Sequence, residues 1–300
     1  MIKLSGLHLL LTYQCNFECD HCFVWGSPWQ SGVMTLPQIR NILEQAKSLG
    51  SVKSIYFEGG EPFLYYATLL QAAREAHQAG FEVGIVSNSY WALSPDDARV
   101  NLEPFAGMLA DLSVSSDVYH YDERLSQQAQ NAANAAAELD IPVGYISVAQ
   151  PEAAAEVSRG QLPVGESSVM YRGRAAVKLA DQAVKRDWSS FIECPHEDFR
   201  NPGRVHVDPF GNLHICQGIC IGNLFHEPLA NICENFSPEK DPLINIIMSQ
   251  GPAGLVSEYQ LVHSDGYADA CHLCYEMRKL LRQQFPDILI PTNMYAVEQG

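Results

Sequence analysis

The chain has 300 residues, 47% of them hydrophobic, and its 19 lysines and arginines face 35 aspartates and glutamates, a formal net charge of −16. This composition excludes a disordered or fibrous protein, because the chain has enough apolar residues to build a large core. The acidic balance also argues against nucleic acid as a partner, since phosphate binding relies on lysine and arginine.

The sequence predicts a cytoplasmic protein without a membrane partner. Near the N-terminus, the unbroken apolar run covers only residues 9–11, which is too short for a signal peptide. No later stretch approaches the roughly 18 apolar residues of a membrane span. In the cytoplasm, nine cysteines at short spacings indicate metal binding or catalysis more often than disulfides.

Up to about residue 180, short apolar runs alternate with helical patterns, which is typical of βαβ units and a parallel sheet. The clearest helical pattern covers residues 35–49, another helix begins at a Ser94 cap, and an alanine- and glutamine-rich helix is predicted over 122–139. Six strands are predicted, over residues 7–12, 52–58, 81–87, 111–115, 141–148 and 167–170.

The composition changes near residue 188, after which proline, glycine, cysteine and histidine are frequent and helical periodicity is weak. Residues 204–207 and 213–216 alternate like strands and are joined by a turn-forming run, which predicts a β-hairpin that carries Cys216. We therefore expect two domains, over residues 1–187 and 188–300.

Three cysteines, Cys15, Cys19 and Cys22, directly follow the first predicted strand. Their thiols therefore lie on a loop at the carboxyl end of that strand, where parallel barrels place their chemistry. Three thiolates at this spacing can hold one four-iron cluster and leave its fourth iron without a protein ligand. With His21 as a fourth ligand they could instead form a zinc site.

A second motif, Gly59-Gly60-Glu61-Pro62, follows the second predicted strand. If the sheet is parallel, this motif lies on the same rim as the cysteines. The adjacent glycines allow a ligand to approach the backbone closely, and Glu61 offers a carboxylate to an ammonium group.

Together, CX3CX2C after strand one and GGEP after strand two resemble the radical S-adenosylmethionine (SAM) superfamily, over roughly residues 5–180. The resemblance implies an α/β fold, a partial (β/α)6 TIM-type barrel followed by a small cysteine-rich extension with a hairpin. It implies a [4Fe-4S] cluster on the three cysteines, with SAM on the open iron. The residues that it implies for SAM binding are His21, Gly59, Gly60, Glu61, Asn88, Ser113, Ser115, Ile146 and Arg172.

Four of the remaining six cysteines resemble the SPASM and twitch extensions, which carry auxiliary [4Fe-4S] clusters. They are Cys194, Cys216, Cys271 and Cys274. Six cysteines are too few for two fully ligated auxiliary clusters, so one auxiliary [4Fe-4S] cluster is expected. Cys220 and Cys233 are expected to be buried apolar thiols. A structural zinc site fits the four cysteines nearly as well.

The resemblance implies an oxidoreductase-type enzyme that reductively cleaves SAM to a 5′-deoxyadenosyl radical and abstracts hydrogen from its substrate, in an oxidative or rearrangement reaction. The implied partners are an electron donor such as flavodoxin or ferredoxin and a small metabolite, which we favour because no recognition module precedes residue 5. A peptide-modifying maturase is the alternative. A non-catalytic interaction protein with structural zinc is the alternative of another class.

Overall fold

A computed structural model describes residues 2–121, 125–151 and 166–296. Within these ranges the strands are β1 (Leu4–Thr12), β2 (Ser54–Gly59), β3 (Glu82–Ser87), β4 (Leu109–Ser115), β5 (Val143–Ile146), β6 (Arg186–Asp187), β7 (Gly203–Val207), β8 (Asn212–Cys216), β9 (Ile219–Asn223) and β10 (Gly266–Tyr267). The helices are α1 (Leu36–Leu49), α2 (Tyr66–Gln78), α3 (Pro95–Leu102), α4 (Val118–Tyr121), α5 (Gln127–Glu138), α6 (Arg174–Lys178), α7 (Leu229–Asn235), α8 (Ile244–Tyr259) and α9 (Ala270–Leu281).

Eight strands form one sheet in the order β5-β4-β3-β2-β1-β7-β8-β9. The neighbouring pairs from β5 to β7 are all parallel, whereas β8 and β9 are antiparallel additions at one edge. The predicted α/β fold with a parallel, barrel-type sheet is therefore confirmed. None of the helices in the described ranges has the length and apolar character of a membrane span.

Alternation along β1 separates the two faces of the sheet. Leu7, Leu9 and Leu11 are fully buried in the main core, together with Ile39 of α1. His8, on the opposite face, lines a cavity on the inside of the curved sheet. Side chains alternate between the two faces of a strand. Leu7, Leu9 and Leu11 therefore face the outer helices, whereas His8 faces the inside of the sheet.

The predicted helices are present where capping signals mark their ends. Thr35 forms a capping box with Gln38 at the start of α1, and Gly50 ends that helix with a φ of 73°. Ser94 caps α3 as expected. The helix predicted over 122–139 appears as α5, and residues 122–124 lie outside the described residues.

The sixth predicted strand, over 167–170, is wrong. Only Ser167 joins the sheet, through one parallel bridge to Val148. The chain then turns away, because the backbone N–H of Tyr171 donates to Asp269, the residue that caps α9. The sixth parallel strand is instead β7, which pairs with β1 on the other side of the sheet.

The hairpin predicted beyond residue 188 is present as β7 and β8, but it continues the N-terminal sheet. The division into residues 1–187 and 188–300 remains a prediction. The strand β9 and the long helices α8 and α9 were not anticipated. The helix α8 is buried on several sides and is broken at Gly251, before Pro252, so it lacks the one-sided apolar pattern that sequence periodicity detects.

Candidate functional site

The carboxyl ends of β1 to β5 surround a cavity of about 270 Å³. The three thiols of the first motif and both glycines of the GGEP motif line this cavity, on the shared rim that the sequence predicts. The other residues from the expected SAM site that line it are His21, Asn88, Ser115, Ile146 and Arg172.

Two of the first three cysteines, Cys15 and Cys22, accept hydrogen bonds at their sulfurs. Sγ of Cys15 accepts a hydrogen bond from the Phe17 N–H at 3.4 Å and one from the Asn88 amide at 3.6 Å. Sγ of Cys22 accepts one from the Gly26 N–H at 3.1 Å. Burial raises the pKa of Cys15 to about 12, so this thiol stays protonated until a bound metal displaces its proton.

A buried arginine, Arg174, holds the cysteine loop. Arg174 is 5% exposed, and its guanidinium donates to the carbonyls of Cys19 at 2.8 Å and Gly26 at 2.7 Å. Its backbone N–H donates to the Cys22 carbonyl at 2.9 Å. One side chain therefore fixes both ends of the loop, and its neighbour Gly173 adopts the positive φ of 61° that this approach requires.

Glycines let the chain segments around the cavity pack closely. A Cβ atom added at Gly60 would overlap the carbonyl of Gln14, because the GGEP backbone runs directly against the chain that leaves β1. A Cβ added at Gly26 would lie 3.5 Å from Sγ of Cys22. Glycine at position 60 is therefore required by the close approach of two chain segments at the edge of the cavity.

The expected contact of Glu61 with SAM is not supported by the geometry of its side chain. Glu61 is fully buried, and its carboxylate accepts hydrogen bonds from the Phe63 N–H, the Ser87 hydroxyl and the Asn88 N–H at 2.8 to 3.0 Å. Burial raises its pKa to about 7. The Glu61 carboxylate thus ties the GGEP turn to the end of β3.

His21 presents a neutral imidazole to the cavity. Its ring stacks on Tyr119 with a centroid distance of 4.7 Å, and burial lowers its pKa to about 4. Nε2 of His21 lies 3.5 Å from Asp117, whereas the buried Nδ1 has no hydrogen-bond partner among the residues that the structure describes. An unpaired ring nitrogen beside a flat neighbour fits a heteroaromatic ligand such as adenine.

A second histidine reaches the same cavity. Nδ1 of His120 lies 2.7 Å from a carboxylate oxygen of the buried Asp117. Asp117 also accepts the Tyr119 N–H, so the carboxylate is fixed and orients the His120 ring. A carboxylate that holds one imidazole nitrogen leaves the other available for proton transfer.

Two of the expected SAM ligands have other partners. The Asn88 amide donates to the Asn16 side chain at 2.9 Å as well as to Cys15, so it supports the cysteine loop. Ser113 donates to Asp111 at 2.8 Å and lines a deeper chamber instead of the SAM cavity. The hydroxyl of Ser113 faces the barrel interior because it lies two residues before Ser115 on the same face of β4.

Arg172 lies between the two cysteine groups. It lines the SAM cavity, and it also lines the cavity that contains the C-terminal cysteines. The guanidinium lies 3.3 Å from Glu197 and 5.5 Å from the centre of the Phe23 ring. A carboxylate in the SAM cavity would therefore meet an arginine that Glu197 already orients.

The C-terminal cysteines also meet on one cavity. The four expected ligands Cys194, Cys216, Cys271 and Cys274 line it together. Cys220 lies apart, with its thiol donating to the Gly222 carbonyl, and Cys233 is buried in the main core. The geometry thus separates the four sulfurs from the two residual thiols in the way the sequence predicts.

The sulfurs of the described cysteines are not gathered as closely as in an occupied zinc site. A tetrahedral zinc ion holds thiolate sulfurs about 3.8 Å apart, because each Zn–S bond is about 2.3 Å long. Among the described residues, three groups of His, Cys, Asp or Glu have their ligand atoms within 4.8 Å of one another, and none contains more than one cysteine. Both cysteine groups are therefore wider than a zinc site.

Residues 9–151 match the family model of the Radical SAM superfamily. This part of the chain belongs to that superfamily. The match begins inside β1 and ends beyond β5, so the radical SAM domain contains the first three cysteines, the GGEP turn and His120.

Relatives match within the same region. The chain is 28% identical over 111 residues to YydG of Bacillus subtilis (strain 168), named for peptide biosynthesis, covering 37% of this chain and 35% of that protein. It is 30% identical over 131 residues to an S-adenosylmethionine-dependent nucleotide dehydratase of Fibrobacter sp. (strain UWH6), covering 40% and 36%. The matched region thus covers about a third of these relatives.

A solved structure resembles nearly the whole chain. Native anSMEcpe with bound AdoMet superimposes with a TM-score of 0.53 at 13% sequence identity, covering 94% of this chain and 97% of that one. This likeness supports the fold of the radical SAM domain.

Replacement of Arg174 by methionine should loosen the cysteine loop. The carbonyls of Cys19 and Gly26 would lose charged donors, each worth about 1.5 to 3 kcal/mol. We expect a lower free energy of unfolding and incomplete iron loading at the first three cysteines, with partial recovery in Arg174→Lys. Urea unfolding and iron analysis measure both, with Arg99→Met on the surface of α3 as the control. Wild-type stability and iron content in Arg174→Met would refute the assignment.

Glu61 should make the stability of the protein depend on pH. Its pKa is raised from 4.5 to about 7 in the folded chain, so the folded state binds more protons between these values. Glu61 therefore contributes fully to the free energy of unfolding below pH 4.5. This contribution, of up to about 3 kcal/mol, is lost as the pH rises through 7.

Urea unfolding of the cluster-free protein at pH 5 and pH 8 measures this contribution. In Glu61→Gln the free energy of unfolding should change less with pH than in the wild type. Glu44→Gln, at an exposed position on α1, should retain the wild-type dependence. Equal pH dependence in the wild type and Glu61→Gln would contradict the raised pKa.

Proposed function

We propose that the chain is a radical SAM enzyme of the oxidoreductase type, with a [4Fe-4S] cluster on Cys15, Cys19 and Cys22 and SAM beside it. The main support for this proposal is that the three thiols share one cavity of about 270 Å³ with the glycine turn at Gly60 and with His21. A cluster with three protein ligands has one iron free for a substrate-like ligand.

The residues around the cavity fit this pair of cofactors. Donors to the sulfurs of Cys15 and Cys22 suit anionic cluster ligands, and Gly26 and Gly60 line the same cavity as these thiols. The cluster and SAM together supply a 5′-deoxyadenosyl radical for hydrogen abstraction from a substrate carbon. The protein positions the cofactors and excludes water, and His21 is available to hold the adenine.

We further propose one auxiliary [4Fe-4S] cluster on Cys194, Cys216, Cys271 and Cys274, in a SPASM/twitch-like region over residues 188–300. The common cavity of the four thiols supports it. Four thiolates fill every corner of such a cluster, which suits electron transfer and leaves no open iron. Its electrons would be exchanged with a donor such as flavodoxin or ferredoxin.

The proposed substrate is a small metabolite. A chamber of about 670 Å³ inside the sheet adjoins the SAM cavity and is lined by polar side chains, which suits a compact polar molecule better than an extended peptide. The named relatives include proteins assigned to nucleotide and to peptide chemistry. We place the reaction in the cytoplasm, where reducing conditions keep nine free thiols available.

Alanine at any one of the first three cysteines should abolish SAM cleavage. The cluster then lacks a ligand, and formation of 5′-deoxyadenosine with dithionite should fall to the level without enzyme. Chromatography of the nucleoside products measures this. Cys220→Ala and Cys233→Ala remove buried cysteines that line neither cysteine cavity, and both should retain the wild-type rate. The proposal fails if Cys15→Ala, Cys19→Ala or Cys22→Ala still forms 5′-deoxyadenosine at that rate.

A further inference from the structure

The chamber inside the sheet contains a cluster of side chains that the SAM site does not use. It adjoins the SAM cavity, and Glu58 and Ile146 line both spaces. His8 on β1 and His206 on β7 occupy paired register positions, and Glu58 lies on β2, the other neighbour of β1. Three adjacent parallel strands thus direct two imidazoles and one carboxylate to the same point of the barrel interior.

The three side chains have the spacing of metal ligands. One ligand atom from each of His8, Glu58 and His206 lies within 4.8 Å of the other two. An ion bound at 2.0 to 2.2 Å from each atom requires separations up to about 4.4 Å, which small side-chain rotations would achieve. Two histidines and one carboxylate on one side of an ion leave its remaining positions open.

The polar atoms of the three side chains face one another directly. Oε1 of Glu58 lies 2.9 Å from Nε2 of His206, which is within hydrogen-bond distance. Nδ1 of His8 lies 3.3 Å from the second carboxylate oxygen. Two nitrogens that flank both carboxylate oxygens in this manner fit ligands of a common ion.

Neighbouring rings hold the two imidazoles in place. His8 stacks on Tyr56 at a centroid distance of 4.7 Å with nearly parallel planes, and His206 packs against Phe23 at 5.8 Å. The positive charge of Arg172, which also lines the chamber, is offset by its ion pair with Glu197. The cluster is therefore rigid, and Glu58 supplies a negative charge to a cation.

We propose that His8, Glu58 and His206 bind a divalent first-row transition metal ion inside the barrel. Its open positions face the chamber and accept oxygen ligands from a hydroxyl, carboxylate or phosphate group of the substrate. The ion would anchor such a substrate beside the SAM cavity. The proposed metal binding depends only on His8, Glu58 and His206, whereas the role of the ion in anchoring a substrate rests on the proposed function.

Titration of the cluster-loaded protein with Mn²⁺ tests the proposal. Mn²⁺ prefers oxygen and nitrogen ligands over thiolates, and the signal of unbound Mn²⁺ in electron paramagnetic resonance gives the bound fraction. We expect about one Mn²⁺ per chain, bound at least tenfold more weakly in His8→Gln and in His206→Gln. His77→Gln, at an exposed position on α2, is the matched control and should bind as the wild type does.

Iron content and SAM affinity of the two variants report whether they fold. The triple variant Cys15→Ala, Cys19→Ala, Cys22→Ala should still bind the Mn²⁺ ion, which separates this site from the proposed function. The metal site is overturned if the wild type takes up no Mn²⁺, or if folded His8→Gln and His206→Gln bind it as tightly as His77→Gln does.

Discussion

The hydrogen bonds of one buried guanidinium are the constraint on which the candidate site depends. The loop that follows β1 must expose three thiols to a cavity while its own backbone is removed from water. Arg174 satisfies the carbonyls of Cys19 and Gly26, and its backbone satisfies that of Cys22. A buried carbonyl without a donor costs as much as a lost hydrogen bond, so the loop keeps its shape only while this arginine is present.

The same constraint connects the two cysteine groups. The short segment that leads into α6 places Arg174, the first residue of this helix, against the loop of the first three cysteines. It also places Arg172 between the two cavities. Tyr171 directly precedes Arg172, and its backbone N–H donates to Asp269. Asp269 caps the helix that carries Cys271 and Cys274. The segment from Tyr171 to Arg174 thus contacts both sets of thiols or the elements that carry them. The parallel sheet places the polar interior of the barrel beside them.

Sequence reasoning predicted what depends on local spacing. The first cysteines follow β1 and GGEP follows β2, so a parallel sheet had to bring them to one rim. It could not predict partners that are distant in the chain, such as β7 beside β1, or the hydrogen bond from the Ser87 hydroxyl to the buried Glu61 carboxylate. The polar position of His8 among the leucines of β1 was a visible signal, but its partners required the fold.

The most direct test of the account is the iron content of two variants after anaerobic reconstitution. We expect about eight irons in the wild type, from two four-iron clusters. About four should remain when the first three cysteines are replaced by alanine, and also when the four C-terminal cysteines are replaced instead. SAM should change the electron paramagnetic resonance spectrum of the reduced cluster only in the variant that keeps Cys15, Cys19 and Cys22. A C-terminal site that binds zinc instead of iron, or whose cluster responds to SAM, would contradict the account.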